Sequence, residues 1–130
     1  MTVPKLPVTA KPSTVALSFA PFDVVVVPFP FTDQNTHKRR PAVVLSSAAF
    51  GQAAGGSVLA MITSATQSSW PGDCVIEDLT PTGLTQPCLV RLKLFTLDHR
   101  LIVRRAGSLS APDRQRLRVA WAHWLLPDNE

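Results

Sequence analysis

The sequence predicts a mainly β domain: a small, twisted antiparallel barrel with one α-helix packed on it at the C-terminal end. Three observations carry this expectation. Short β-branched or alternating apolar runs follow one another closely from residue 23 to residue 103. No β-α-β rhythm of ~30 residues separates them, so a mostly parallel sheet is excluded. Helical spacing of apolar residues is confined to the last part of the chain. With 130 residues, the chain holds one domain and has no room for a Rossmann fold with a substrate domain, or for a TIM barrel. Its 45% apolar content supplies a packed core.

The elements follow in order. Residues 1–20 are rich in Pro, Thr and Ser and read as an arm before the domain, which spans 21–127 and leaves a tail at 128–130. Asp23–Val27, bounded by Pro21 and Pro28, is a buried strand. Residues 30–40 form a polar loop with turn residues Asp33 and Asn35. Ala42–Leu45 is a strand beginning directly after Pro41. Residues 51–56 read as a small-residue loop, and Val58–Ile62 as a third strand ending in Thr63-Ser64. Cys74–Ile76 is apolar. Leu89–Leu94 alternates apolar and basic residues, as a half-exposed strand does. Leu101–Val103 completes the set of about six strands. Ser110 is a candidate helix cap, with Pro112 in the first turn and Asp113 three residues on. Leu117, Ala120, Trp121, Trp124 and Leu125 then recur at helical spacing and predict the face that docks on the sheet, and Pro127 stops the helix.

The net charge of +4 is unevenly placed. Residues 1–40 are net +3 and end in the triplet Lys38-Arg39-Arg40. Residues 41–90 contain no Lys or Arg and are net −3. Residues 91–118 carry eight basic residues and are net +6. Two cationic regions that meet in space make a groove suited to a polyanion. Cys74 and Cys88 lack CxxC spacing and read as ordinary core thiols, and His37, His99 and His123 show no metal-binding spacing, so no cofactor is expected. The N-terminal apolar runs are short and broken by Pro4, Pro7 and Pro12, unlike a secretory signal or membrane span, so a cytoplasmic protein is expected.

Three segments taken together are distinctive: Asp23–Asp33 (DVVVVPFPFTD) followed by Lys38–Ser46 (KRRPAVVLS), then Leu59–Ser64 (LAMITS), then Val90–Asp98 (VRLKLFTLD) with Arg100-Leu-Ile after it. This combination resembles the MazF/PemK family of toxin–antitoxin systems over about residues 22–126. The resemblance implies an SH3-like barrel with a C-terminal helix, and cleavage of single-stranded RNA at specific sequences without a metal. It also implies a homodimer and a small acidic antitoxin protein as partners.

Cleavage of this kind needs a phosphate held in line and its extra charge stabilised. A guanidinium fork matches two phosphate oxygens, and a Thr hydroxyl can donate to them. Arg40 precedes Pro41 as the family's catalytic Arg precedes its Pro, and Pro41 biases it to an extended backbone. Thr63 matches the family's Ile-Thr-Ser position. Arg91 matches an Arg that one branch of the family uses; there an acidic residue follows two positions later, whereas here Lys93 does. His37 is a candidate base beside the triplet. Lys38, Arg39 and Lys93 would attract phosphates, and Asp33, Gln34 and Asn35 would contact base edges. Asp98 reads as a turn carboxylate. Two competing expectations are a non-enzymatic toxin of the same fold that poisons DNA gyrase and an inactive barrel that binds RNA or protein.

Overall fold

The computed structural model describes residues 18–29, 38–65 and 68–128. Six strands form one antiparallel sheet: β1 (Asp23–Phe29), β2 (Lys38–Val44), β3 (Gly56–Ser64), β4 (Cys74–Val75), β5 (Cys88–Asp98) and β6 (Arg104–Ser108). Their spatial order is β4-β5-β3-β2-β1-β6, with β4 and β6 the outer strands among the described residues. Helix α1 (Ala48–Ala54) links β2 to β3, and helix α2 (Ala111–Leu125) follows β6.

Each face of the sheet has its own apolar cluster, as period-2 strands require when both faces are covered. On one face Val24, Val43, Ala60, Ile62, Val90 and Leu92 pack with Leu109 and Leu117, beneath α2. On the other, Val25, Val27, Ala42, Val44 and Leu59 pack with Phe19, Leu97 and Ile102. The second cluster ends in a polar pair, where the buried Ser57 hydroxyl and the His99 ring share a hydrogen bond of 2.7 Å.

The sheet curls until the chain following β4 reaches β6. Here a 3-10 turn at Thr80–Thr82 lies against the β6 backbone. The approach is close because two glycines face it: a Cβ on Gly107 would stand 2.2 Å from the Pro81 carbonyl oxygen, and one on Gly83 would stand 2.4 Å from that of Ala106. Gly83 also holds φ at +75°, a region that favours glycine. Gly107→Ala forces backbone away from backbone and is expected to cost about 3 kcal/mol in a denaturant titration.

The second half-closure is electrostatic. Asp113, in the first turn of α2, accepts from the backbone N–H groups of Glu77 and Asp78 at 3.1 Å each. Ser110 caps the same helix, its hydroxyl accepting from the Asp113 N–H, with Pro112 in the first turn as the sequence predicts.

Four local expectations are corrected. Residues 51–56 are largely helical: Ser47 caps α1, accepting from Phe50 N–H at 3.1 Å, which a run of small residues conceals. Leu101–Val103 is not a strand. Asp98 caps a 3-10 turn at His99–Leu101, and the strand begins at Arg104. The triplet Lys38-Arg39-Arg40 is not loop but the first half of β2, paired with Phe29, Pro28 and Val27. On α2, Leu117 is buried and Trp121 packs against the core, but Trp124 and Leu125 stay exposed.

Candidate active site

The position of Pro41 shapes the site. The β2–β3 ladder runs from Val44–Leu59 through Val43–Ala60 to Ala42–Met61 and stops there. Proline has no N–H to continue a ladder. β2 nonetheless continues to pair with β1 as far as Lys38, and β3 continues to pair with β5 as far as Ser64–Cys88. The sheet therefore forks at Pro41. Between the prongs lies a cleft of about 280 Å³, lined by Arg40, Pro41, Ile62, Thr63 and Ser64 and walled by residues 84–88.

Arg40 and Thr63, read from the sequence as partners, thus line one cleft. Arg40 is exposed, makes no ion pair among the described residues, and has its guanidinium carbon 5.8 Å from the centre of the Phe29 ring. Phe29 lies two residues beyond Val27, the partner of Arg40 in the ladder, so its ring steers the Arg40 stem from the same face. Thr63 is half-buried near the end of β3. Thr85 and Gln86 add polar groups to the wall. Sequence reading missed them, because only the curl of the sheet brings their loop to the fork.

Arg91 has a different setting. It pairs with Met61 across β3–β5, two residues from the Thr63–Leu89 pair, so Arg91 and Thr63 rise from the same face. Its guanidinium does not line the cleft, being engaged on the β3–β4 connection. Nε and Nη2 donate to the two Asp73 carboxylate oxygens at 3.1 and 2.9 Å, Nη1 to the Ser68 hydroxyl at 3.0 Å, and Nη2 also to the Ser68 carbonyl at 2.8 Å. The bidentate bond to Asp73 raises the Arg91 pKa further. The position two residues on, acidic in one branch of the family, is Lys93 here, and the carboxylate that meets Arg91 is Asp73 of the β3–β4 connection. Lys93 stands over the Trp70 ring, 4.6 Å from its centre. Lys38 and Arg39 are exposed on β2, on the prong that carries Arg40. Asp33, Gln34, Asn35 and His37 lie outside the described residues.

Asp98 does structural work: it caps the turn, and the Arg100 side chain, hydrogen-bonded to it, brings its pKa down to about 2. Cys88 lines the cleft, but burial pushes its thiol up, away from the thiolate a nucleophile needs. Cys74 is likewise a free thiol raised by burial. Among the described residues no group of three His, Cys, Asp or Glu is placed to hold a metal ion, and no helix is long and apolar enough to cross a membrane.

A curled six-stranded sheet with a C-terminal helix, forked where an Arg-Pro pair meets an Ile-Thr-Ser strand end, defines a small barrel-like toxin fold. Residues 20–125 match the family model described as PemK-like, MazF-like toxin of type II toxin-antitoxin system, and the chain belongs to that family. Solved structures agree on the fold. An endoribonuclease in complex with its cognate antitoxin from Mycobacterial species superposes with a TM-score of 0.68 at 15% identity, covering 86% of this chain and 100% of that one. The Mycobacterium tuberculosis toxin MazF-mt6 gives 0.65 at 18% identity, covering 82% and 99%. A MazE–MazF complex from Deinococcus radiodurans gives 0.67 at 21% identity, covering 83% and 96%. A search of curated proteins finds no match.

Proposed function

We propose that this chain is the toxin of a toxin–antitoxin pair and a sequence-specific endoribonuclease, cleaving single-stranded RNA at the fork between β2 and β3. The observation that carries this reading is the convergence of Arg40 and Thr63 on one cleft, with an exposed guanidinium free of ion pairs among the described residues. The substrate's 2′-oxygen attacks the adjacent phosphorus, forming the 2′-O–P bond. The P–O5′ bond breaks and the departing oxygen takes a proton from water, leaving a 2′,3′-cyclic phosphate and a 5′-hydroxyl. Arg40 forks onto the non-bridging oxygens and meets the charge that grows on them, without a metal, while Thr63 donates a further hydrogen bond. His37, three residues before Arg40, is the candidate to take the 2′-hydroxyl proton. Lys38 and Arg39 draw the phosphate backbone along the β2 prong.

The Mycobacterial and Deinococcus relatives were solved with antitoxins. The same kind of partner, a small acidic protein, suits the cationic prong of this chain, and a second copy of the chain would complete the RNA groove. Incubating the purified protein with a long RNA in the presence of chelator is expected to give discrete fragments with cyclic phosphate ends. Absence of cleavage, with or without gyrase inhibition, overturns the assignment. Thr63→Val removes the hydroxyl and keeps the shape, and is expected to lower kcat about a hundredfold with little change in KM, the lower end of what loss of one donor to a developing oxyanion costs.

A further inference from the structure

The β3–β4 connection holds an aromatic–cation pair that the cleavage chemistry does not use. Trp70 is 41% exposed, and Lys93 rests against its ring, itself exposed and without an ion pair among the described residues. An exposed indole on a surface loop is ordinarily mobile, but the backbone that carries this one is braced. The Trp70 backbone N–H donates to an Asp73 carboxylate oxygen at 3.0 Å, and the Trp70 backbone carbonyl accepts from the Asp73 N–H at 3.1 Å. Arg91 then grips Ser68 and Asp73, the residues on either side of Trp70, in a four-bond clamp. The other two indoles lie on α2, where Trp121 packs against the core and Trp124 sits edge-on to His123.

The location matters as much as the rigidity. Arg91 and Lys93 alternate along β5 on either side of Leu92, which points into the cluster beneath α2, so both leave the opposite face, the face that also carries Thr63 and Arg40. β4 lies two strands from β3, about 10 Å at ordinary strand spacing. One oligonucleotide can therefore reach the fork and the indole together.

We propose that Trp70 and Lys93 form a stacking subsite for an unpaired base of single-stranded RNA, with Arg91 as the positioning residue that holds it ready. The subsite rests on the reading of the cleft as an RNA-cleaving site. The base stacks on the indole, and the Lys93 ammonium turns to the phosphate beside it. An aromatic platform flanked by a cation is the arrangement by which proteins hold single strands, because every base presents a π-face. The structure thereby gives Arg91 a task different from the phosphate clamp that its sequence position suggests: it works through Trp70.

The test titrates fluorescein-labelled 2′-O-methyl RNA homopolymers, which cannot be cleaved, against wild type and variants, following anisotropy and intrinsic fluorescence. Trp70→Ala is expected to weaken binding to the best-bound polymer at least fivefold, and Trp70→Phe to keep most of the affinity while losing the quenching that RNA causes. Combining Arg91→Ala with Trp70→Ala is expected to weaken binding no further than Trp70→Ala alone, which a merely structural arginine would not do. Wild-type affinity in Trp70→Ala, or unchanged quenching in Trp70→Phe, overturns the subsite. The phenylalanine variant remains decisive if the alanine variant fails to fold. If wild type cleaves RNA while Trp70→Ala keeps both affinity and KM, the subsite alone fails. If wild type neither binds nor cleaves RNA, the reading of the cleft fails with it.

Discussion

Replacing Arg40 by alanine is expected to lower RNA cleavage by two to three orders of magnitude and leave the melting temperature within a few degrees of wild type. Both halves follow from the surroundings of Arg40. Its side chain is exposed, forms no ion pair among the described residues, and touches the fold through the Phe29 ring at 5.8 Å. An exposed cation–π contact is worth about 0.5–1 kcal/mol, so little stability goes with it. In the cleft the same guanidinium is the one formal positive charge among the described lining residues. Removing a single preorganised donor to a developing oxyanion costs about 10²–10³ in rate, and a charged, two-pronged donor belongs at the upper end. Arg40→Lys keeps the charge and loses the fork, so an intermediate rate, about tenfold above the alanine variant, is expected. Cleavage rates on a fixed RNA, with thermal melts on the same samples, check the pair. Full activity in Arg40→Ala sinks the catalytic assignment, and a collapsed melting curve would show that the residue holds the fork open instead.

Much of this fork is legible from sequence, and the illegible part has definite causes. Val24–Val27 reads as a strand from its β-branched run, and Val58–Ile62 from a short continuous apolar run. β6, with the sequence Arg-Arg-Ala-Gly-Ser, is an edge strand whose place is set by its pairing with β1 and by the room Gly107 leaves for the 3-10 turn. No periodicity announces it. The exposed Trp124 and Leu125 share helical spacing with Leu117, but the sheet ends before it reaches them. In the site, Arg40 and Thr63 are readable because Pro41, beside Arg40, marks where β2 parts from β3, and Ser64, beside Thr63, ends β3. Arg91 shows the limit: its partner Asp73 is 18 residues away and becomes its partner only through the turn of the β3–β4 connection. The wall at Thr85 and Gln86 depends on the same curl of the sheet.

The largest effect on stability is expected at Asp113, where helix and sheet are joined. Its carboxylate is 4% exposed and accepts from Glu77 N–H, Asp78 N–H and the Ser110 hydroxyl, with Arg116 paired against it. Asp113→Ala leaves two backbone donors without their acceptor and removes the anion from the first turn of α2. At about 1.5–3 kcal/mol for a hydrogen bond to a charged group, and allowing for incomplete additivity, the loss is about 4 kcal/mol. Asp113→Asn keeps one acceptor oxygen and is expected to lose about half as much. The pH dependence separates charge from shape. Burial raises the Asp113 pKa, but the Glu77 and Asp78 N–H groups, the Ser110 hydroxyl and Arg116 together outweigh it and hold the carboxyl below its ordinary value. A carboxyl depressed in the folded state contributes stability that is complete above the unfolded-state value, near 4, and is lost as pH falls through the depressed one. The gap between wild type and Asp113→Asn in urea midpoints should therefore be constant from pH 7 to pH 5 and close below pH 4. A gap that stays open in acid would mean that the Asp113 contribution is one of packing, and that the helix is held to the 77–78 segment by shape rather than by charge.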